Sequence, residues 1–331
     1  MKFGTVSLAD AEGCVLAHSV ALTKGRLRKG QVLTSADLRA LRASGHDNVI
    51  AATLGPDDMG ENAAADALAD AIMTRAQGVE RGAAFTGRVN LVAAQAGVAV
   101  LDTAAIAAIN EVDPMITIAT VPPFQQMRAG GMLATIKIIS YAVPKDAVAR
   151  AAAAARGAVT LAGPVLTRAA LIITEIPGGA GEKGRAAIEG RLDTLGVSLG
   201  VVKVVAHERA ALTAAIRDEN SPLVLILTGS ATSDIDDVAP AALVAAGGRI
   251  ERFGMPVDPG NLLFLGTRGP QQVIGLPGCA RSPALNGADW VLSRIVCGLK
   301  VTGADIAAMG VGGLLKEIPT RPQPRRGTSR A

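Results

Sequence analysis

From Ala169 onward the chain alternates short, largely apolar runs with segments of helical periodicity, and no other feature of its 331 residues restricts the fold as strongly. The runs are AALIIT, VVKVVAH, LVLILT, RIERFGMPV, NLLFLG and QQVIGLPG; between them lie RAAIEGRLDTLG, ERAALTAAIRDE and VAPAALVAAGG, and SPALNGADWVLSRIVCG follows the last. Strands and helices that alternate at this spacing return to one sheet through right-handed crossovers. The expected fold class is therefore α/β, with a doubly wound, mostly parallel sheet in a domain over residues 165–305. Within it, Leu223 to Leu227 contains no polar residue, the pattern of a strand covered on both faces.

Residues 1–160 read differently. GCVLAH, DNVIAATL, FTGRVNLVA, GVAVL, MITIATV and MLATIKIIS are strand-like. SADLRALRASG, with Ser35 as N-cap, the stretch 56–77 and TAAIAAIN have helical spacing. This predicts an α+β N-terminal region, followed by an alanine-rich helix from 144 that breaks at Gly163 and Pro164.

Composition removes several function classes. Only 2% of residues are aromatic, which leaves no stacking platform for single-stranded nucleic acid. The net charge is +4, but the dense basic group is confined to the end, where residues 319–331 read as a disordered tail. No nucleic-acid partner is expected. Cys14, Cys279 and Cys297 are far apart, and His18, His46 and His207 are equally dispersed, so neither a disulfide framework nor a zinc site is indicated. No apolar run reaches the roughly 18 residues that span a bilayer, and the start lacks a signal-peptide core. A cytoplasmic protein with no membrane partner, forming a homo-oligomer, is the expectation.

Ligands of open α/β sheets bind at the carboxyl ends of strands. There the chain places Thr228, Gly229, Ser230, Thr232, Ser233, Asp234, Asp236 and Asp237 after one strand, and Leu276, Pro277, Gly278 and Cys279 after another. Two such glycine loops on neighbouring strands suit a phosphate-bearing heterocycle held between them. Three clustered acids suit magnesium or the edge of a pterin, and one acid would suffice as a helix cap. Gly179, Gly181 and Gly184 satisfy the dinucleotide pattern G-x-G-x-x-G. Glu175 to Gly178 separate that pattern from its strand, whereas a dinucleotide loop needs an immediate tight turn.

The segments TGSATSDIDDVAPAAL, GMPVDPGNLLFLG and VIGLPGCARSPAL, in this order, resemble the molybdopterin-binding domain. That domain is shared by molybdopterin adenylyltransferases, molybdopterin molybdotransferases and the competence-damage-inducible family. The resemblance covers about residues 168–300, and ADAEGCVLAHSV to DNVIA is similar to the opening of molybdotransferases. Ser230 stands where the family has a second glycine, Cys279 and Ala280 replace its Asn and Pro, and Thr174 and Glu175 are what is left of its Thr-Gly-Asp-Glu run. The resemblance implies a ligand, molybdopterin or its nucleotide form, at Thr228, Gly229, Ser230, Ser233, Asp234, Pro277, Gly278 and Cys279. It also implies a catalytic role for Asp237, magnesium at Asp236 and Asp237, and ATP or another nucleotide as co-substrate. Lys183 or Arg281 would offset phosphate charge. The function implied is molybdenum cofactor biosynthesis or handling by a magnesium-dependent transferase. The alternatives are a non-catalytic carrier that serves a client molybdoenzyme and, from the Gly179 pattern, an NAD-dependent oxidoreductase.

Overall fold

The computed structural model describes residues 1–315, so the basic tail expected over 319–331 lies outside the described residues. Two compact units are present. One comprises Met1–Gln95, Ala99–Pro123 and Ala129–Leu161; the other comprises Ala96–Val98, Phe124–Arg128 and the chain from Ala162 on.

The first unit is α+β. Lys2–Ser7, Asn48–Thr53 and Val15–Leu16 form a three-stranded antiparallel sheet, and the helix Ser35–Ala43 contributes Leu38 and Leu41 to the same core as Leu16 and Val49. Its N-cap is Thr34, not Ser35. Thr34 and Asp37 form a reciprocal capping box that places the helix start one residue earlier than the sequence suggests. A four-stranded antiparallel sheet joins Ile116–Thr120, Met132–Ile138, Arg88–Ala93 and Val79–Arg81. The helix expected over 56–77 occupies only Glu61–Met73, because Asp58–Gly60 pairs as a strand with Ala142–Pro144. The alanine-rich helix spans Lys145–Ala155; Gly157 turns the chain left-handed, and β-prone Val159 and Thr160 begin a strand well before Gly163.

The second unit carries a six-stranded sheet. Its strands are β1 (Arg168–Glu175), β2 (Ser198–Ala206), β3 (Leu223–Leu227), β4 (Arg249–Phe253), β5 (Phe264–Arg268) and β6 (Gln271–Leu276), in the spatial order β2-β1-β3-β6-β5-β4. β2, β1, β3 and β6 are parallel, whereas β5 is antiparallel both to β6 and to β4, so the sheet is mixed. The hairpin β5–β6 causes this: only Gly269 and Pro270 separate the strands, too few residues for a parallel crossover.

Alternate residues of each strand enter two different cores. Leu171, Leu225 and Ile274 pack with Ile188 and Leu192 of α1 (Arg185–Asp193), and with Val291 and Leu292 of a later helix, Gly287–Val296. Ile172, Ile226 and Val273 pack instead with Leu212 and Ile216 of α2 (Arg209–Arg217) and with Leu243 of α3 (Val238–Ala245). The helix Gly287–Val296, hereafter α4, starts later than the sequence pattern suggests, after an irregular stretch at 282–286.

Candidate functional site

The carboxyl ends of β1, β3 and β6 lie side by side, because these three strands are parallel neighbours in register. Three loops therefore meet: residues 176–184 after β1, 228–237 after β3 and 277–286 after β6.

Two glycines of these loops are required by close approach. A side chain at Gly229 would place its first carbon 2.7 Å from the carbonyl oxygen of Thr174 and 3.2 Å from the nitrogen of Ile176. At Gly184, where φ is 102°, it would meet the Cα of Arg281 at 2.7 Å. Gly278 is exposed and has nothing within 4 Å of where a side chain would begin. The first two glycines let the loops touch each other; the third leaves open space.

Arg281 ties the three loops together. It ends the short 3-10 turn Gly278–Arg281, and its guanidinium donates to the carbonyl of Thr228 at 2.8 Å, of Gly181 at 3.3 Å, and of Lys183. Burial lowers its pKa from the ordinary arginine value. The guanidinium thus organises the loops through their carbonyls, whereas the sequence suggested a partner for phosphate. Lys183 itself is exposed. Arg191, which the sequence did not single out, braces the β6 loop from α1. It pairs with Asp289 and donates to the carbonyls of Ala280 at 2.9 Å, Ser282 at 2.7 Å and Ala284 at 2.9 Å. Gripping these carbonyls holds residues 282–284 out of the helix that follows. A single arginine in a helical run gives no sequence signal of that role.

Thr228 is buried, and its hydroxyl lies 3.3 Å from that of Thr232. Ser230 and Ala231 are exposed. Among the described residues, nothing accepts from the backbone N–H of Ser230, Ala231 or Thr232. Successive unclaimed amides at a strand end are the donor set an anion uses. Gly229 is not part of that set, because its N–H donates to Thr174 Oγ1 at 2.9 Å.

Two of the acids are engaged by backbone N–H groups. Asp237 caps α3: Oδ1 accepts from Val238 N at 2.7 Å, and Oδ2 accepts from Ser233 N at 3.0 Å. Asp234 Oδ1 accepts from Asp236 N at 2.8 Å. Among the described residues no group of three or more His, Cys, Asp or Glu side chains converges to hold a metal ion. As placed, Asp234 shapes the loop and Asp237 starts the helix. Pro277 and half-buried Cys279 lie in the turn beside Gly278.

The glycines of the dinucleotide pattern have local explanations. Gly179 fits against Ile176, whose carbonyl would lie 2.9 Å from a side chain there, and Gly184 makes room for Arg281. Among the described residues no helix is long and apolar enough to cross a membrane.

A domain family of unknown function (DUF8806) matches residues 5–53. No curated protein matches the chain. Among solved structures, the chain is similar to the molybdopterin biosynthesis moea protein from Pyrococcus horikosii. The identity is 13% and the TM-score 0.32, over 90% of this chain and 75% of the other. It is also similar to a molybdenum cofactor biosynthesis protein B, at 16% identity and a TM-score of 0.27, over 40% of this chain and 88% of the other. Neither superposition is close enough to assign a shared fold.

Proposed function

We propose that the second unit binds molybdopterin or its nucleotide form at the carboxyl ends of β1, β3 and β6, and that the chain serves molybdenum cofactor biosynthesis or handling. One observation carries this: the unclaimed amides of Ser230, Ala231 and Thr232 in a loop that Arg281 ties to the open turn at Gly278. The amides receive the terminal phosphate, and the pterin lies over Pro277 and Gly278, where the absent side chain permits close approach. The motifs at 228–243, 254–266 and 273–285 make molybdopterin, among phosphate-bearing heterocycles, the ligand of choice.

A molybdotransferase-like activity would place Asp237 at the reacting centre. A carrier that hands the cofactor to a client molybdoenzyme is the second reading, and one observation favours it. Both carboxylate oxygens of Asp237 already accept backbone N–H groups, a positioning role that needs no turnover.

Titration of the purified chain with molybdopterin and with NAD tests the ligand. Saturable molybdopterin binding is expected; NAD binding without it would overturn the proposal in favour of an oxidoreductase. Turnover with ATP and magnesium, compared between the wild type and Asp237→Asn, separates enzyme from carrier. Asparagine keeps the cap to Val238 N–H while giving up the acceptor for Ser233 N–H, and a carrier has no turnover to lose.

A further inference from the structure

His207, at the carboxyl end of β2, belongs to no motif of the three loops, yet a hydrogen-bond chain joins it to them. Its backbone N–H donates to the carbonyl of Glu175 at 2.8 Å, which anchors the residue to the end of β1. Its ring Nδ1 lies 2.8 Å from Thr174 Oγ1, and the same oxygen accepts from Gly229 N–H at 2.9 Å. Thr174 has no exposed surface, so solvent offers its hydroxyl no alternative partner.

A hydroxyl has one proton to give. With Nδ1 as acceptor, Thr174 donates to His207 and accepts from Gly229, and every group is satisfied. When the imidazole takes a second proton, Nδ1 becomes a donor. Thr174 Oγ1 can accept from both donors through its two lone pairs, but its own proton then has no acceptor among the described residues. Relief requires the Thr174 hydroxyl or the His207 ring to turn, which disturbs the oxygen that holds the Gly229 N–H. We propose that His207 is a positioning residue of the site: through Thr174 it fixes the Gly229 amide, and with it the loop that presents the amides of Ser230 to Thr232. The charged groups at the same strand ends are Glu175, Glu208 and Arg209, and among the described residues none bonds to the ring. Only the consequence for binding rests on the anion-site proposal; the coupling stands apart from it.

The test follows the amide signal of Gly229 by NMR in the full chain labelled with [15N]glycine, across pH 5–8, with and without sulfate, an anion of constant charge over this range. In the wild type the signal is expected to differ between pH 8 and pH 5, and sulfate affinity to change over the same interval. In His207→Asn the side-chain oxygen replaces Nδ1 as a permanent acceptor. The Gly229 signal is then expected to stay at its high-pH position, with affinity independent of pH. Thr174→Val is expected to uncouple the amide entirely. A wild-type Gly229 signal that is insensitive to pH, or that moves identically in His207→Asn, overturns the proposal. A Gly229 signal that follows His207 while sulfate perturbs no loop glycine upholds the coupling and overturns the anion site instead.

Discussion

The two ends of the six-stranded sheet treat their polar groups in opposite ways. At the amino ends of β3 and β6, Glu219 is 5% exposed. One carboxylate oxygen accepts from Asn220 N at 3.0 Å, Ser221 N at 2.9 Å and Ser221 Oγ at 2.8 Å, and the other lies 3.3 Å from Lys203 Nζ. The Glu219 carbonyl accepts from Arg268 at 2.6 Å and Gln271 at 2.8 Å. Each oxygen of Glu219 is answered from within. At the carboxyl ends, the amides of Ser230 to Thr232 have no partner among the described residues, and nothing lies within 4 Å of where a Gly278 side chain would begin. A closed polar cluster is part of the fold, and an open one leaves its partners to be supplied by a ligand. Variants at the two ends should therefore separate stability from binding.

The largest loss of stability is expected from Glu219→Ala, which strands the Lys203 ammonium and the donors of Asn220 and Ser221. Unfolding in urea should show a loss of about 3 kcal/mol, with molybdopterin affinity little changed. Burial raises the pKa of Glu219, but the hydrogen bonds from Ser221 and Lys203 outweigh it and leave the carboxyl below its ordinary 4.5. Because the folded value is depressed, this stabilisation is fully present above the ordinary value and is lost as pH falls through the folded one. The wild type should lose stability below about pH 4.5, and Glu219→Ala should lose less over the same interval. Binding that fell as far as stability would break the division between the two ends.

Gly229→Ala comes next, and it acts on both quantities. The added carbon must push β3 away from the Thr174 carbonyl, at a cost of about 2 kcal/mol in unfolding measurements. The same shift drags the amides of Ser230 to Thr232, so binding should fall with it. Arg281→Lys keeps a charge but cannot reach three carbonyls. About 1 kcal/mol of stability and about tenfold in molybdopterin affinity are expected to go. A lysine variant that binds normally would show that charge, and not the loop tie, is what the site needs.

How far the sequence could disclose all this depends on the kind of contact. The run Leu223 to Leu227 announces a buried strand, and Thr228 to Asp237 a loop before a helix, because burial and turn chemistry are written in local composition. The antiparallel pair β4 and β5 was not legible, since apolar runs do not record direction; the two-residue connection at Gly269 and Pro270 was the signal that would have found it. Arg281, Arg191 and His207 act across separations of about 100, 93 and 33 residues respectively. Such partners are set by strand order, and strand order is invisible in a single sequence. The acids make local contacts instead. Asp234, Asp236 and Asp237 read as a cluster, yet the fold turns Asp237 and Asp234 onto backbone N–H groups.

The smallest change in stability and the sharpest contrast are expected together at Gly278→Ala. Gly229 and Gly278 occupy equivalent places, each just past the end of a parallel strand, and from sequence they are indistinguishable. Close approach to β1 requires the first, whereas among the described residues nothing lies within 4 Å of where a side chain at the second would begin. A methyl group at 278 should therefore leave unfolding within about 0.5 kcal/mol of the wild type. Its effect should appear only when the ligand arrives, because the methyl occupies the surface on which the pterin is placed. Isothermal titration with molybdopterin should then show weakened binding by a fully stable protein. Unchanged binding would move the ligand away from the β6 turn and leave the amides of Ser230 to Thr232 as the whole of the site.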